Sequence, residues 1–596
     1  MGGPVELAEL ETARVLAAVG LNATLHVSHR DGESDGFRWA VAGDVITIDG
    51  DSARGALFGA YDFLESLGVM WPVPGVEILP AHATLTHASG AGEPGLPGRC
   101  LIIAAVAVLP RLEEWVAWAA RNKLNTVFFH TSPPGSGAIG AIPHDDWLAV
   151  RDRAVASVRE RGLVFELGGH GLTHLLPRDR FADTPDAFRM VKGERRADTN
   201  FCSSSAVAIA AMREGSRAIF EANPEVDCFH IWPDDAGSWC HCPECESVSP
   251  SEQSMRAVVA VAETLADVNP HAQLAAIAYL ETEDAPVSPP PSNVFMLWAP
   301  RKRCYGHDLS EPECAVNEPR YRAGFAELSR AFVARGAMPT RVFEYWLDGI
   351  LFKSCFPVFA HVGADIAAYR DAGVHTVQSL LVGPRDMLGS WPAPWLYARQ
   401  LWNPDADPAA LLDDFARVAL ADPSAAAALR HLDEAMRLAL QLEPTDDPDV
   451  RPRVKAIMKG GGFPDMEDPV GVLADGLRKI ATRHDEALSL AEPAAAALAS
   501  IAAAAEAEVV LRWIRFARAR AHAYLALRTG GDAGELIDDA VARADDFAEF
   551  LCAQYDDDTS ERIRFMHEYS WKRVLTAQLP DVAQPERHDG SAEPVV

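Results

Sequence analysis

Eight short apolar runs, spread between residues 97 and 400 and separated by amphipathic stretches, constrain this chain more than any other feature. They are GRCLIIAAV, TVFFHT, LVFELGGH, CFHIWPDD, QLAAIAYLE, NVFMLWAP, RVFEYWLDG and HTVQSLLVG. Rich in β-branched and aromatic residues and lacking strict alternation, such runs read as parallel strands buried on both faces. The segments between them, among them LEEWVAWAARN, HDDWLAVRDRAVASVRERG and SEQSMRAVVAVAETLADV, carry helical periodicity. Strand and helix in regular alternation predict a closed (β/α)8 barrel over residues 93–400.

The flanks read differently. Residues 1–92 hold the hairpin-like FRWAVAGDVITIDG and a helical SARGALFGAYDFLESLG closed by Gly68, which predicts a small α/β domain. Beyond residue 400 strand signals cease, and the Ala-rich, helix-favouring composition predicts an α-helical domain over 401–580 followed by a loose tail over 581–596. The fold class is therefore α/β, a TIM barrel between a small α/β domain and a helical one. The Pro-rich DAPVSPPPSN, residues 284–293, falls on a barrel loop.

Fifty-four lysines and arginines against 85 aspartates and glutamates leave a formal charge of −31, which repels a phosphate backbone or an anionic membrane on approach. No run of about 18 apolar residues suggests a membrane span, and the N-terminus lacks the pattern of a signal peptide. The expectation is a cytoplasmic protein with no nucleic-acid or membrane partner, and a homodimer among the admitted assemblies.

Barrel sites form at the C-terminal ends of the strands. There the sequence places ELGGHGLTH, WPDDAGSW, AYLETED, WAPRKRCYGHD and FEYWLDG, which bring carboxylates, imidazoles and aromatic rings to one mouth. That composition suits carbohydrate chemistry, in which rings stack on sugars and two carboxylates cleave the glycosidic bond. Asp235, on the fourth strand, is the candidate acid/base, and Glu344, on the seventh, the candidate nucleophile or base activating water. Asp234, His170, Trp232, Trp239, Tyr279, Arg301, Tyr305, His307, Tyr345, Trp346 and Asp348 are candidate sugar-binding residues.

DSARGALFGAYDFLESLGVMWPVPG resembles the domain that precedes the barrel in α-glucuronidases and β-N-acetylhexosaminidases. GGHGLTHLLP, PDDAGSWCHCPEC, RKRCYGHDLSEPECAVN and FEYWLDGILF resemble the motifs of a bacterial glycoside hydrolase-like barrel family, some of whose members are similar to endo-β-N-acetylglucosaminidases. The resemblance implies a β-N-acetylhexosaminidase-like hydrolase with an oligosaccharide or glycoside substrate, in which Asp234 orients the substrate acetamido group and Asp235 stands where those enzymes carry a glutamate acid. The aspartate is one methylene shorter, which leaves a two-carboxylate mechanism open. The rivals are an α-glucuronidase-like hydrolase using Arg301 or Arg303 on a uronate, and a non-catalytic sugar-binding protein on the same scaffold.

Cys240, Cys242 and Cys245 follow the acidic pair, with His241 between the first two. A packed thiol cluster or a local disulfide is the leading expectation, so no cofactor is assigned. The alternative is a structural zinc on these three thiolates with Cys202, Cys304 or Cys314 as fourth ligand. His170 and His174 stand four residues apart but lack the glutamate of a metalloprotease motif, so no catalytic metal is expected.

Overall fold

The computed structural model describes residues 3–134, 141–235, 239–318, 320–347, 359–380, 392–444 and 469–554, with residues 560, 563–564, 567–572 and 575. The chain opens with α1 (Pro4–Ala18), β1 (Thr24–His29), β2 (Phe37–Ala42), β3 (Val45–Gly50), α2 (Ala53–Ser66) and β4 (Ala88–Gly92). The strands form one sheet in the order β1-β3-β2-β4. The Ser52 hydroxyl caps α2 by accepting the Gly55 N–H at 3.0 Å, and Gly68 ends the helical segment at φ +98°. Between them Leu57, Phe58, Tyr61, Phe63 and Leu64 are fully buried. This unit is tied to the barrel through buried Asp35, which accepts from Arg54 of α2 and from Arg99 of the first barrel strand, both at 2.6 Å.

That strand is β5 (Gly98–Ile103), and it is followed by α3 (Leu112–Arg121), β6 (Thr126–His130), α4 (His144–Glu160) and β7 (Val164–Gly169). A small hairpin, β8 (Met190–Val191) and β9 (Glu194–Arg195), interrupts the alternation before α5 (Ala206–Ala222), β10 (Cys228–Ile231), α6 (Pro250–Val268) and β11 (Gln273–Ala278). Then come β12 (Val294–Trp298), α7 (Phe325–Ala334), β13 (Met338–Glu344), α8 (Phe359–Asp371), β14 (Thr376–Ser379) and α9 (Ala393–Trp402). The eight strands close as β10-β11-β12-β13-β14-β5-β6-β7, every neighbouring pair parallel. All eight apolar runs become strands of this barrel.

One outer helix is missing. Residues 279–293 join β11 to β12 with only a short 3-10 turn, because Pro286, Pro289, Pro290 and Pro291 deny the backbone the donors a helix needs. The loop is pinned instead, with Glu252 of α6 accepting Ser288 N–H at 2.7 Å and Arg335 donating to the Pro286 carbonyl at 2.6 Å.

The lumen is packed in layers. Near its floor Arg341 of β13 donates to Glu166 of β7, which also bonds His230 of β10 at 2.8 Å. Above it lie the rings of Phe128 and His230, stacked 4.0 Å apart, then Trp232 edge-on to Phe343 at 5.7 Å. Gly168 turns at φ +124° against β10, and a Cβ there would lie 2.0 Å from the His230 carbonyl oxygen.

After α9 the described residues form α10 (Pro408–Val418), α11 (Ala425–Ala439), α12 (Ala474–Leu498), α13 (Ala504–Arg528) and α14 (Gly534–Gln554). The β12–α7 loop reaches this array, for the Leu442 N–H donates to Cys304 Sγ at 3.3 Å and Arg437 of α11 meets His361 of α8 at 2.9 Å. Among the described residues no helix is long and apolar enough to cross a membrane.

Two outcomes follow from this packing. Gly168→Ala is expected to cost on the order of 3 kcal/mol or more, read as a lower melting temperature, because the strand cannot retreat from β10 without breaking its register. Asp433 of α11 gives a pH signature: burial pushes its carboxyl up to about 7 despite His361 and Arg437 nearby. Between about pH 4 and pH 7 the unfolded chain ionises while the folded one keeps the proton, so this group's contribution to stability falls as pH rises, by about 1.4 kcal/mol per unit. Asp433→Asn should remove that slope in denaturation curves taken across the window; an unchanged slope would refute the assignment.

Candidate active site

Alternation along β13 decides which predicted residues meet. Arg341 and Phe343 face the lumen, so Tyr345 turns inward at the mouth and Glu344 turns outward. In the layer between strand and helices Glu344 is fully buried and paired with Arg303 Nε at 3.0 Å. Tyr305 and Tyr369 of α8 donate their hydroxyls to its two oxygens at 2.9 and 2.6 Å. Arg303 also bridges to Asp365 of α8. One cation thus serves two buried acids. Burial, the largest influence, pushes the Glu344 carboxyl above the usual range; Arg303 opposes and Asp365 reinforces the shift.

The proposed nucleophile is therefore a structural acid, and four binding candidates leave the site with it. Tyr305 is turned to Glu344, and the Trp346 indole N–H points to Asp365 at 3.3 Å. His307 sits against Cys304 Sγ at 3.2 Å, beside the helical array. Trp239 is buried edge-on to Phe201, near the cysteines and away from the lumen rings. Asp348 lies outside the described residues.

The others converge. His170, just past the end of β7, lies 5.3 Å from the Trp232 ring and 6.4 Å from that of Tyr279, just past β11. Tyr279 interacts through its hydroxyl with Asp235; burial first, then that carboxylate, push the phenol well above its ordinary range, so it remains a donor. The Arg301 guanidinium lies over the Tyr345 ring at 5.2 Å. Asp235 itself is exposed, whereas its neighbour Asp234 is half-buried and held. The Thr173 hydroxyl donates to Asp234 Oδ2 at 2.6 Å, and the Asn200 N–H does so at 3.3 Å. One acid is thus locked from behind while the next meets solvent. The two glycines before His170 serve close backbone packing: a Cβ on Gly169 would lie 2.7 Å from the His130 ring.

His130, the last residue of β6, was not singled out from sequence, yet its ring lies 5.3 Å from Trp232 and 6.4 Å from His170. Its position at a strand end was the available signal. Gln378 of β14 is a second omission: it is fully buried, and among the described residues neither amide atom has a hydrogen-bond partner.

Four groups of side chains have metal-ligand spacing among the described residues. Glu166, Cys228 and His230 are accounted for by the Arg341 pair. Cys304, His307 and Cys314 supply three donors, as do Asp308, Glu311 and His361. Cys202, Cys240, Cys242 and Cys245 supply four, all buried.

Among curated protein sequences none matches. Among solved structures, a GH138 enzyme targeting pectin rhamnogalacturonan II is similar at a TM-score of 0.58 and 10% identity, with 96% of this chain and 76% of that one covered. A GH115 4-O-methyl-α-glucuronidase with specificity for decorated arabinogalactans is similar at 0.52 and 14%, covering 100% of this chain and 79% of that one. At such identities the likeness establishes the fold. A sequence family described as "Domain of unknown function (DUF4838)" matches residues 134–433. That match takes in half of the chain and every mouth residue after β6, and the chain belongs to this family.

Proposed function

We propose that the protein hydrolyses a glycosidic bond at the barrel mouth, with Asp235 as the proton-transferring carboxylate. One observation carries the reading: an exposed Asp235 in contact with the Tyr279 hydroxyl, beside a second acid locked by Thr173 and Asn200, above a floor of His170, Trp232 and Tyr345 rings. With Glu344 withdrawn, Asp235 and Asp234 set an exposed acid beside a fixed one. That arrangement suits substrate-assisted cleavage, in which a 2-acetamido group on the sugar is the internal nucleophile and Asp234 orients it. The finer reading is therefore a β-N-acetylhexosaminidase-like hydrolase. Asp235 protonates the leaving oxygen and then accepts a proton from water; Tyr279 stays protonated and holds the reacting groups in register.

A second reading has its own support. Arg301 brings a guanidinium to the same mouth over Tyr345, where it can meet a sugar carboxylate in a bidentate pair. A uronide substrate, as in the α-glucuronidase that shares the fold, would use it.

A panel of nitrophenyl glycosides separates these readings. Turnover of an N-acetylglucosaminide supports the first and turnover of a glucuronide the second; sugar binding without turnover of any substrate would leave a binding protein on a hydrolase scaffold. On whichever substrate is cleaved, Asp235→Asn is expected to lower kcat by about 100-fold or more with an unchanged melting temperature. Glu344→Gln should do the reverse, costing about 3–5 kcal/mol of stability by stripping Arg303 of a buried partner while the folded fraction keeps its activity. If Asp235→Asn retains full activity, Asp235 is not the acid. For a glucuronide, Arg301→Met should raise KM at least tenfold and leave neutral glycosides unaffected.

A further inference from the structure

The four buried cysteines near the mouth have not been used by the chemistry above. Cys202 comes from the loop after the β8–β9 hairpin, and Cys240, Cys242 and Cys245 from the loop after β10. Cys202 Sγ lies 3.7 Å from Cys242 Sγ and 3.9 Å from Cys245 Sγ, and all four sulfurs lie within 4.8 Å of one another. Four thiolates around one zinc at about 2.3 Å, at tetrahedral angles, stand about 3.8 Å apart. Sulfur–sulfur separations of this size are nearly twice the length of a disulfide bond, about 2.05 Å. Four thiols converging on one point have a soft metal as their natural centre, with the Glu244 carboxylate standing at the edge, 3.4 Å from Cys242 Sγ.

The surroundings suit the charge. Zinc with four thiolates carries a net −2, which needs donors aimed at sulfur. The Met190 N–H donates to Cys240 Sγ at 3.3 Å, and the Arg195 guanidinium stands 3.8 Å from the same atom. The Ser204 and Ser203 hydroxyls lie 3.1 and 3.6 Å from Cys245 Sγ. His241 is exposed, outside the cluster, and Cys304 and Cys314 gather around His307. No sulfur is more than 2% exposed, so a fifth ligand or substrate has no path in.

We infer that Cys202, Cys240, Cys242 and Cys245 form a closed tetrathiolate zinc site that clamps the β7–α5 connection to the β10–α6 loop. The clamp is placed to matter. Asn200, two residues before Cys202, holds Asp234, and Asp235 precedes Cys240 by five residues. The metal replaces four protons when it binds, and zinc neither gains nor loses electrons, so the site is a fixture and takes no part in a redox step.

The test is metal analysis of the full-length chain, purified without chelator from zinc-supplemented medium. About one zinc per chain is expected in wild type and in Cys304→Ser, and at least a tenfold loss in the Cys202→Ser/Cys245→Ser double variant. Should that variant fail to fold, wild type alone decides. A mercurial reagent should release one zinc as the thiols react, and cobalt exchanged into the protein should show the charge-transfer absorption of sulfur ligation. Stripping the metal should lower the melting temperature, and adding zinc back should restore it. A folded wild-type chain without zinc, iron in place of zinc, or full zinc content in the double variant would each overturn the assignment.

Discussion

Arg341 crosses the barrel lumen to Glu166, and this one ion pair governs what the mouth can present. Buried charges are tolerated only when paired and hydrogen-bonded, and this pair is completed by His230 on the acid and Gln273 on the guanidinium. Anchoring Arg341 inward sets the parity of β13. Phe343 and Tyr345 must follow it into the lumen, and Glu344 must leave. The distinction between a catalytic acid and a structural one, which composition could not make, comes down to an odd or even position on one strand.

The architecture was legible because its signal is repeated. The barrel strands are buried on both faces and most are predominantly apolar, so eight short runs marked eight strands without long-range information. The proline cluster of residues 284–293 was read as a barrel loop, though not as the loss of the fifth helix. The outer layer was harder to read. Arg303, Tyr305, Tyr369 and Asp365 come from four sequence positions that only the closed fold brings around Glu344. A buried polar network has no periodicity, and an acid at its centre looks in sequence like an acid at a mouth.

The mouth itself was read in part. Asp235, His170, Tyr279, Arg301 and Tyr345 lie within four residues of strand ends and meet there, since the barrel converts that position into a shared rim. His307 and Trp239 lie several residues farther on, where loops have their own packing partners. His130 was overlooked because Thr131 and Ser132, with no charged or aromatic residue, follow it. The cysteines show a further limit: spacing revealed three close together and left Cys202, Cys304 and Cys314 open as the fourth, and only three dimensions single out Cys202, which comes from a different connection.

The loop from residue 299 to 318 has two faces. On one flank Arg301 covers Tyr345 at the mouth; on the other, Gly306 lies so close to Leu440 and Gln441 of the helical array that a side chain there would strike their backbone. The array therefore backs the wall of the mouth, joined to it through this loop and through the Arg437–His361 contact with α8. Neither surface can drift freely in evolution, because a change that reshapes the rim of the mouth must also preserve a seam with the helices on its far side.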